Sequence, residues 1–289
     1  MTKKIAELDM TKKIAELEKK ANYLRCQILD MCVRAGTGHV TSSFSCTEIF
    51  VALYYGGILR YDSSNPKWKD RDRFILSKAQ ASVILYPVLA DLGFYPESEL
   101  ERFCQADGIF GVHLQNDVPG VEITSGSLGH GLGIAAGIAL AARMNNESYF
   151  TFALLGDGEC YEGSVWESAL FAAHHQLNNL IAIVDRNWLA AIDFTEKAVR
   201  LNPLDKKWEA FGWEVVNING HSFEEIFSAL KGFRSRRLAK PLVIIADTVK
   251  GKGVSFMENQ PLWHGIAPKG KEAELAKAEL TRKGKEALK

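Results

Sequence analysis

The chain has 289 residues, 47% of them hydrophobic, and 35 Lys plus Arg offset 35 Asp plus Glu to a formal net charge of zero. Such a chain can build one large or two small domains with a proper core, and its neutral balance argues against nucleic acid as a main partner, which requires concentrated basic charge. No run approaches the ~18 apolar residues of a membrane span. The opening MTKKIAELD lacks the apolar region of a signal peptide. The five cysteines (Cys26, Cys32, Cys46, Cys104, Cys160) form no CxxC pair that would suggest zinc or a disulfide framework. A soluble, cytoplasmic globular protein is the expectation.

MTKKIAELD is followed at once by MTKKIAELE from Met10. Residues 1–9 are therefore set apart as a duplicated segment without function, a scar or a doubled start, and residues 10–289 are read as one domain. From Lys12 to Arg34, Ile14, Leu17, Ala21, Leu24, Ile28 and Met31 recur at spacings of 3 and 4, the apolar face of an amphipathic helix. AGTGHVTSSFS then reads as a loop, followed by a helix over Thr47–Tyr55. Asp72–Ser77 (DRFILS) predicts a buried strand, and Ser82–Leu92 and Glu97–Cys104 predict helices. Asp107 to Gly131 holds many glycines and little periodicity, a long loop of the kind that is often functional. Leu132–Met144 is a helix of small residues. A strand–helix–strand unit follows: Phe150–Leu155, Gly163–His175 and Leu180–Asp185. Further on come helix Asp205–Phe211, strand Trp213–Ile218, helix Phe223–Phe233, strand Pro241–Thr248 and a charged helical tail from Lys271. Strands alternating with helices imply an α/β domain with a doubly wound, mostly parallel sheet flanked by helices.

Within that frame LLGDGECYEG, Leu154–Gly163, places an acid between two glycines where a strand ends. Ligands of such sheets bind at the carboxyl ends of the strands. Asp157 sits at one such end and Asn187, in VDRNWLAAID, just past the next. A carboxylate and an amide oxygen are hard ligands suited to Mg²⁺ or Ca²⁺. Two side chains are too few for a six-coordinate shell, which Mg²⁺ completes with water and phosphate oxygens. Gly156 and Gly158 let backbone amides approach a diphosphate closely. A tight turn at GDG with Asn187 as a turn residue is the bland alternative.

GDGECYEGSVWESALFAAHHQLNNLIAIVDRN resembles the thiamine diphosphate signature, which begins GDG and ends in Asn about thirty residues later. RDRFILS, VPGVEITSGSLGHGLGIAAGIALA and VKGKGVSFMENQPLWHGIAP likewise resemble the diphosphate-binding domain of transketolases, in order, from about Cys26 to Lys269. The resemblance implies the thiamine diphosphate-binding fold and thiamine diphosphate as cofactor. It also implies Mg²⁺, for which Ca²⁺ or Mn²⁺ can substitute, held by Asp157, Asn187 and the carbonyl of Leu189. It implies cofactor contacts from Gly126, Leu128, Gly156, Gly158, Asn187, His264 and Gln80, with Leu128 supporting the bent cofactor. His39 (GTGHV), His264 (WHGIAP) and His113 become catalytic candidates, since imidazole both gives and takes protons near neutrality. Glu162 matches an acid of a carboxylate network that links two active sites. Glu159 reads as a helix-start or solvated acid, and His221 in NGHSFEE as a turn or cap residue.

Three departures from the family pattern stand out. Gln80 in SKAQAS occupies the place of a histidine and cannot carry charge. His113 in GVHLQN needs a one-residue gap to serve. NWLAAID departs from NxLQID, putting Ala191 and Ile192 at two changed positions. The chain also matches only the first domain of full-length transketolases. The resemblance therefore implies the N-terminal subunit of a split transketolase, moving a two-carbon ketol unit from a ketose to an aldose in an α2β2 complex. A C-terminal subunit would bring the pyrimidine-binding domain and the glutamate that protonates the aminopyrimidine. Rival readings are the α subunit of a 2-oxoacid dehydrogenase, a deoxyxylulose-phosphate synthase, and a non-catalytic cofactor-binding subunit.

Overall fold

A computed structural model describes residues 2–235 and 239–286. The first helix, α1 (Thr2–Ala35), buries Ile14, Leu17, Ala21, Leu24, Ile28 and Met31 as their spacing predicts. It starts well before Lys12 and runs through the duplicated segment, because neither copy contains a breaker; Gly36, at φ +68°, ends it. The segment expected as a loop instead folds in part into α2 (Val40–Ser45), every residue of which is buried. Its polar side chains find tertiary partners: Thr41 Oγ1 donates to the Trp263 carbonyl at 2.9 Å and Ser45 Oγ to Asp185 at 2.6 Å. Context overrides weak helix propensity here. The remaining helices are α3 (Thr47–Tyr54), α4 (Ser82–Asp91), α5 (Gly131–Met144), α6 (Gly163–His174), α7 (Thr195–Ala198), α8 (Leu204–Ala210), α9 (Phe223–Ala229) and α10 (Lys271–Glu286). Glu97–Arg102 forms a 3-10 turn where a helix was expected, and α9 stops four residues short of Phe233.

Five strands, β1 (Arg73–Leu76), β2 (Thr151–Gly156), β3 (Leu180–Arg186), β4 (Glu214–Asn219) and β5 (Leu242–Asp247), form one sheet in the order β1-β2-β3-β5-β4, every pair parallel. Side chains alternate between its faces. Leu76, Leu154, Ile183, Ile244 and Val216 stand in one cross-strand row, on the face packed by α1, α3, α4 and α9. The next row, Ile75, Ala153, Ala182, Val243 and Val215, faces α5, α6 and α8. The small residues of α5 and of this second row let the helices sit close to the sheet. Two cores sandwich the sheet, as a doubly wound fold requires, and all carboxyl ends open on one edge.

Candidate active site

A cavity of about 470 Å³ opens at that edge. The carboxyl ends of four strands feed it. β1 leads into Lys78, β2 into Asp157, β3 into Asn187 and Leu189, and β5 into Lys250. The register sets Gly156 opposite Asp185, which brings the GDG turn beside VDRN. Asp157 Oδ1 accepts from the Gly158 amide at 2.8 Å; Oδ2 accepts from the Trp188 amide at 2.8 Å and from Arg186 at 3.1 Å. Trp188 takes φ +66°, held by that amide and by its indole donating to Asp247. Asn187 and Leu189, on either side of it, both line the cavity. Burial pushes the Asp157 carboxyl up to about 6, against the pull of Arg186.

Two lysines absent from the sequence expectations dominate the electrostatics. Lys78, 1% exposed, pairs with Asp185 and donates to the Ser42 carbonyl at 2.9 Å. Lys250, also 1% exposed, reaches His264 Nδ1 at 2.7 Å and the Leu189 and Ala190 carbonyls at 3.4 and 3.3 Å. Among the described residues no carboxylate lies within ion-pair range of Lys250. Burial lowers its pKa to about 8, helped by the charge of Lys78. It stays mostly charged at neutral pH, and a buried charge without a partner is costly. The cavity is thus built to receive an anion. The signal for both was a lysine just after a strand, in FILSK and IADTVK.

The structure brings ten of the expected residues into the cavity wall: Gln80, His113, Gly126, Leu128, Gly156, Asp157, Gly158, Asn187, Leu189 and His264. His39 stands just behind, its ring 5.3 Å from that of His264 and 6.3 Å from that of His113. Its buried Nδ1 has no hydrogen-bond partner. Burial, then His113 and Lys250, lower His39 to about 4; burial, then Lys250, lower His264 to about 3. Both rings are neutral at pH 7. Lys250 donates to Nδ1 of His264, so that ring carries its proton on Nε2 and offers a donor. Gly158 gives its amide to Asp157, where a diphosphate contact was expected. Glu162 is not brought into the cavity: it is exposed at the start of α6, its side chain against Gly129. At Gly129, φ +86°, a Cβ would fall 2.5 Å from Ser164 Oγ and 2.6 Å from Glu162 Cβ, so only glycine fits.

Glu159 differs most from its expectation. It is 2% exposed and lines the cavity, neither solvated nor a plain helix-start acid. Its carboxylate accepts from Ser77, from the Gly129 amide at 2.8 Å and from the Gly156 amide at 3.1 Å. It therefore ties the turn carrying Gly126 and Leu128 to the end of β2. Burial raises its pKa, with these donors pulling the other way. Glu159→Ala leaves two buried amides unpaired, and chemical denaturation should show a loss of about 2–4 kcal/mol; a loss below about 1 kcal/mol would mean that the amides find other partners.

Asp157, Asn187 Oδ1 and the Leu189 carbonyl make an all-oxygen set suited to a hard cation. An ionised carboxylate has room for about four hydrogen bonds or ligands, and Asp157 uses three. Asn187 Oδ1 accepts one bond, from the Leu189 amide at 3.2 Å. Free oxygen capacity beside an uncompensated lysine fits a cation bridged to an anionic group.

The family described as "Transketolase, thiamine diphosphate binding domain" matches residues 17–288. The chain is 36% identical over 269 residues to the first of the apulose-4-phosphate transketolase subunits of Phocaeicola vulgatus, covering 92% of this chain and 94% of that protein. It is 36% identical over 276 residues to the 6-deoxy-6-sulfo-D-fructose transketolase subunit SqwG of Clostridium sp. (strain MSTE9), covering 95% and 100%. The solved transketolase of Campylobacter jejuni superposes with a TM-score of 0.86 at 33% identity, covering 92% of this chain and 42% of that one. The chain spans nearly all of the two subunits and less than half of the solved enzyme.

Proposed function

The chain belongs to the transketolase family through its thiamine diphosphate-binding domain, and we propose that it is the N-terminal subunit of a two-subunit transketolase. It acts in transferring a two-carbon ketol unit from a ketose to an aldose. The observation that carries this reading is the buried, uncompensated Lys250 beside an all-oxygen cation site in one cavity. That pairing suits a diphosphate carried with Mg²⁺, or with Ca²⁺ or Mn²⁺ in its place. Bound there, thiamine diphosphate supplies the electron sink that ketol transfer needs.

The chain's own residues divide the remaining work. Asp157, Asn187 and the Leu189 carbonyl hold the cation, while Lys250 and Lys78 balance the diphosphate charge. Gly126 and Leu128 support the cofactor ring from the loop that Glu159 anchors. His264 offers its Nε2–H to substrate oxygen. His39 and His113, close together at the same wall, serve the sugar hydroxyls and their protons. Gln80, uncharged, donates where a family histidine would titrate. The similar subunits are named for phosphorylated and sulfonated sugars, which supports a ketose with an anionic end. The partner in this reading is a C-terminal subunit with the pyrimidine-binding domain, in an α2β2 assembly. A cytoplasmic location accords with five free cysteines. No helix among the described residues is long and apolar enough to cross a membrane.

Asp157→Asn tests the cation site. It keeps the side chain's shape and one acceptor oxygen while removing the carboxylate of the donor set. Affinity for thiamine diphosphate with Mg²⁺, measured by calorimetric titration of the assembled enzyme, should fall on the order of a hundredfold, at the upper end of losses seen for even outer-shell changes. Undiminished affinity in a folded variant would remove Asp157 from the site and the reading with it.

A further inference from the structure

His221 does not cap α9; Ser222 does, accepting from the Glu225 amide. The imidazole instead bridges two other elements. Nδ1 lies 2.8 Å from Glu48 Oε2 on α3, and Nε2 lies 2.9 Å from the Val249 amide just after β5. Glu48 is buried, and Arg25 of α1 grips both of its oxygens, at 2.7 and 2.8 Å. Burial alone would raise the Glu48 carboxyl, but Arg25 and the His221 hydrogen bond outweigh it and hold it at about 2. An ionised carboxylate only accepts, so Nδ1 must carry the imidazole proton. The neutral ring then has a bare Nε2, and that nitrogen is what the Val249 amide donates to. Each bond fixes the other.

Val249 is the residue before Lys250. The rest of the turn is tied down on both sides: the Thr248 amide donates to the Arg186 carbonyl at 3.1 Å and the Gly251 amide to the Thr41 carbonyl at 3.1 Å. Thr248 Oγ1 donates to Asp185. Between these anchors the Val249 amide is held by a side chain, and Lys250 extends from the next Cα to reach His264 at 2.7 Å. A small rotation at Val249 is magnified along the four-carbon stem of that lysine.

We propose that His221 is a positioning residue for Lys250: with Glu48 and Arg25 behind it, it locks the Val249 amide and thereby aims the lysine at the cavity. The proposal rests on the reading of that cavity as a diphosphate site. Outer-shell groups of this kind orient the groups in front of them and typically carry 10–100-fold in affinity.

Two variants separate the two bonds. His221→Asn keeps a donor near Nδ1 for Glu48 but cannot reach the Val249 amide. His221→Gln keeps an acceptor near Nε2 for Val249. Thiamine diphosphate with Mg²⁺ is titrated into the enzyme assembled with its partner subunit. H221N should raise the Kd about tenfold while H221Q stays within about threefold of wild type, the two melting at similar temperatures. Equal affinity in wild type and H221N, or an equal loss in both variants, would overturn the proposal. NMR of the ¹⁵N-histidine-labelled wild type gives a readout that needs no variant to fold. A His221 ring protonated at Nδ1 with a hydrogen-bonded, bare Nε2 is expected, and a proton on Nε2 would overturn it. Should the wild type bind no thiamine diphosphate while the expected tautomer is seen, the reading of the cavity has failed, and the proposed role toward the cofactor falls with it.

Discussion

Asp185→Ala is expected to destabilise the protein by about 3–5 kcal/mol, the range for removing one partner of a buried ion pair. Asp185 is fully buried and accepts from four donors: Lys78, Thr248, Ser45 at 2.6 Å and Asn187 at 3.1 Å. Removing it leaves the Lys78 ammonium, 1% exposed, without its counter-charge. Desolvation of Lys78 then has nothing to offset it but one carbonyl, from Ser42. Thermal denaturation at pH 7 should show Tm lower by on the order of 10 °C. Burial raises the Asp185 carboxyl, but Lys78 and the hydroxyl donors outweigh it and the net shift is downward. A carboxyl whose pKa is depressed by folding stabilises above its unfolded value of about 3.9. That contribution is lost as pH falls through the lower folded value. The loss on mutation should therefore be full at neutral pH and shrink only in strong acid. Asp185→Leu combined with Lys78→Met, which removes both charges, should recover part of the stability. A single variant within about 1 kcal/mol of wild type would mean that Lys78 is not charged in the folded state.

The same network shows which parts of the site were legible in the sequence. Strands were readable because runs such as LIAIVD are apolar on both faces and are bounded by turn residues. The ends of those runs located Asp157 and Asn187 without any structure. Family resemblance added Gly126, Leu128, His39 and His264, and the fold places all four at one wall. Even His113, out of register by one residue, arrives there, because the loop from Asp107 to Gly131 absorbs the offset without disturbing a helix or strand. Lys78, Lys250, Asp185 and Glu159 were missed for a common reason. A buried charge has no periodic signature, and its partner is distant in sequence: 107 residues separate Lys78 from Asp185, and 82 separate Ser77 from Glu159. The helix α2 was missed likewise, since its Ser and Thr side chains are satisfied by β3 and by Trp263, not by their neighbours. His221 shows the limit most clearly. NGH before a helix looks like a cap, and only the fold reveals Glu48, 173 residues earlier, on its other side.

Ketol transfer should be absent from this chain alone and appear when its C-terminal partner is added. The chain spans 42% of the length of the solved Campylobacter jejuni transketolase, and the remainder is what we propose the partner supplies. The surface around the cavity favours the same conclusion. Ile192 and Val199 line the cavity yet are 86% and 62% exposed, and Leu262 and Ile266 flank His264 at 73% and 47%. Apolar surface gathered at one mouth marks an interaction site, and covering it yields roughly 25 cal/mol per Å². A cover there would also exclude water from the cavity, strengthening the hold of Lys250 and the cation site on charge. With the proton-donating glutamate brought in by the partner, mixing should raise turnover by on the order of 10²–10⁴, the usual worth of a positioned acid or base. Equal turnover by the chain alone would refute the split-enzyme reading. Leu262→Lys locates the contact, because Leu262 is exposed and lies outside the cavity wall. The isolated variant should keep its melting temperature and its fold, but a charge buried against the partner should abolish stimulation at partner concentrations that saturate the wild type. If stimulation survives unchanged, the partner does not close over this mouth.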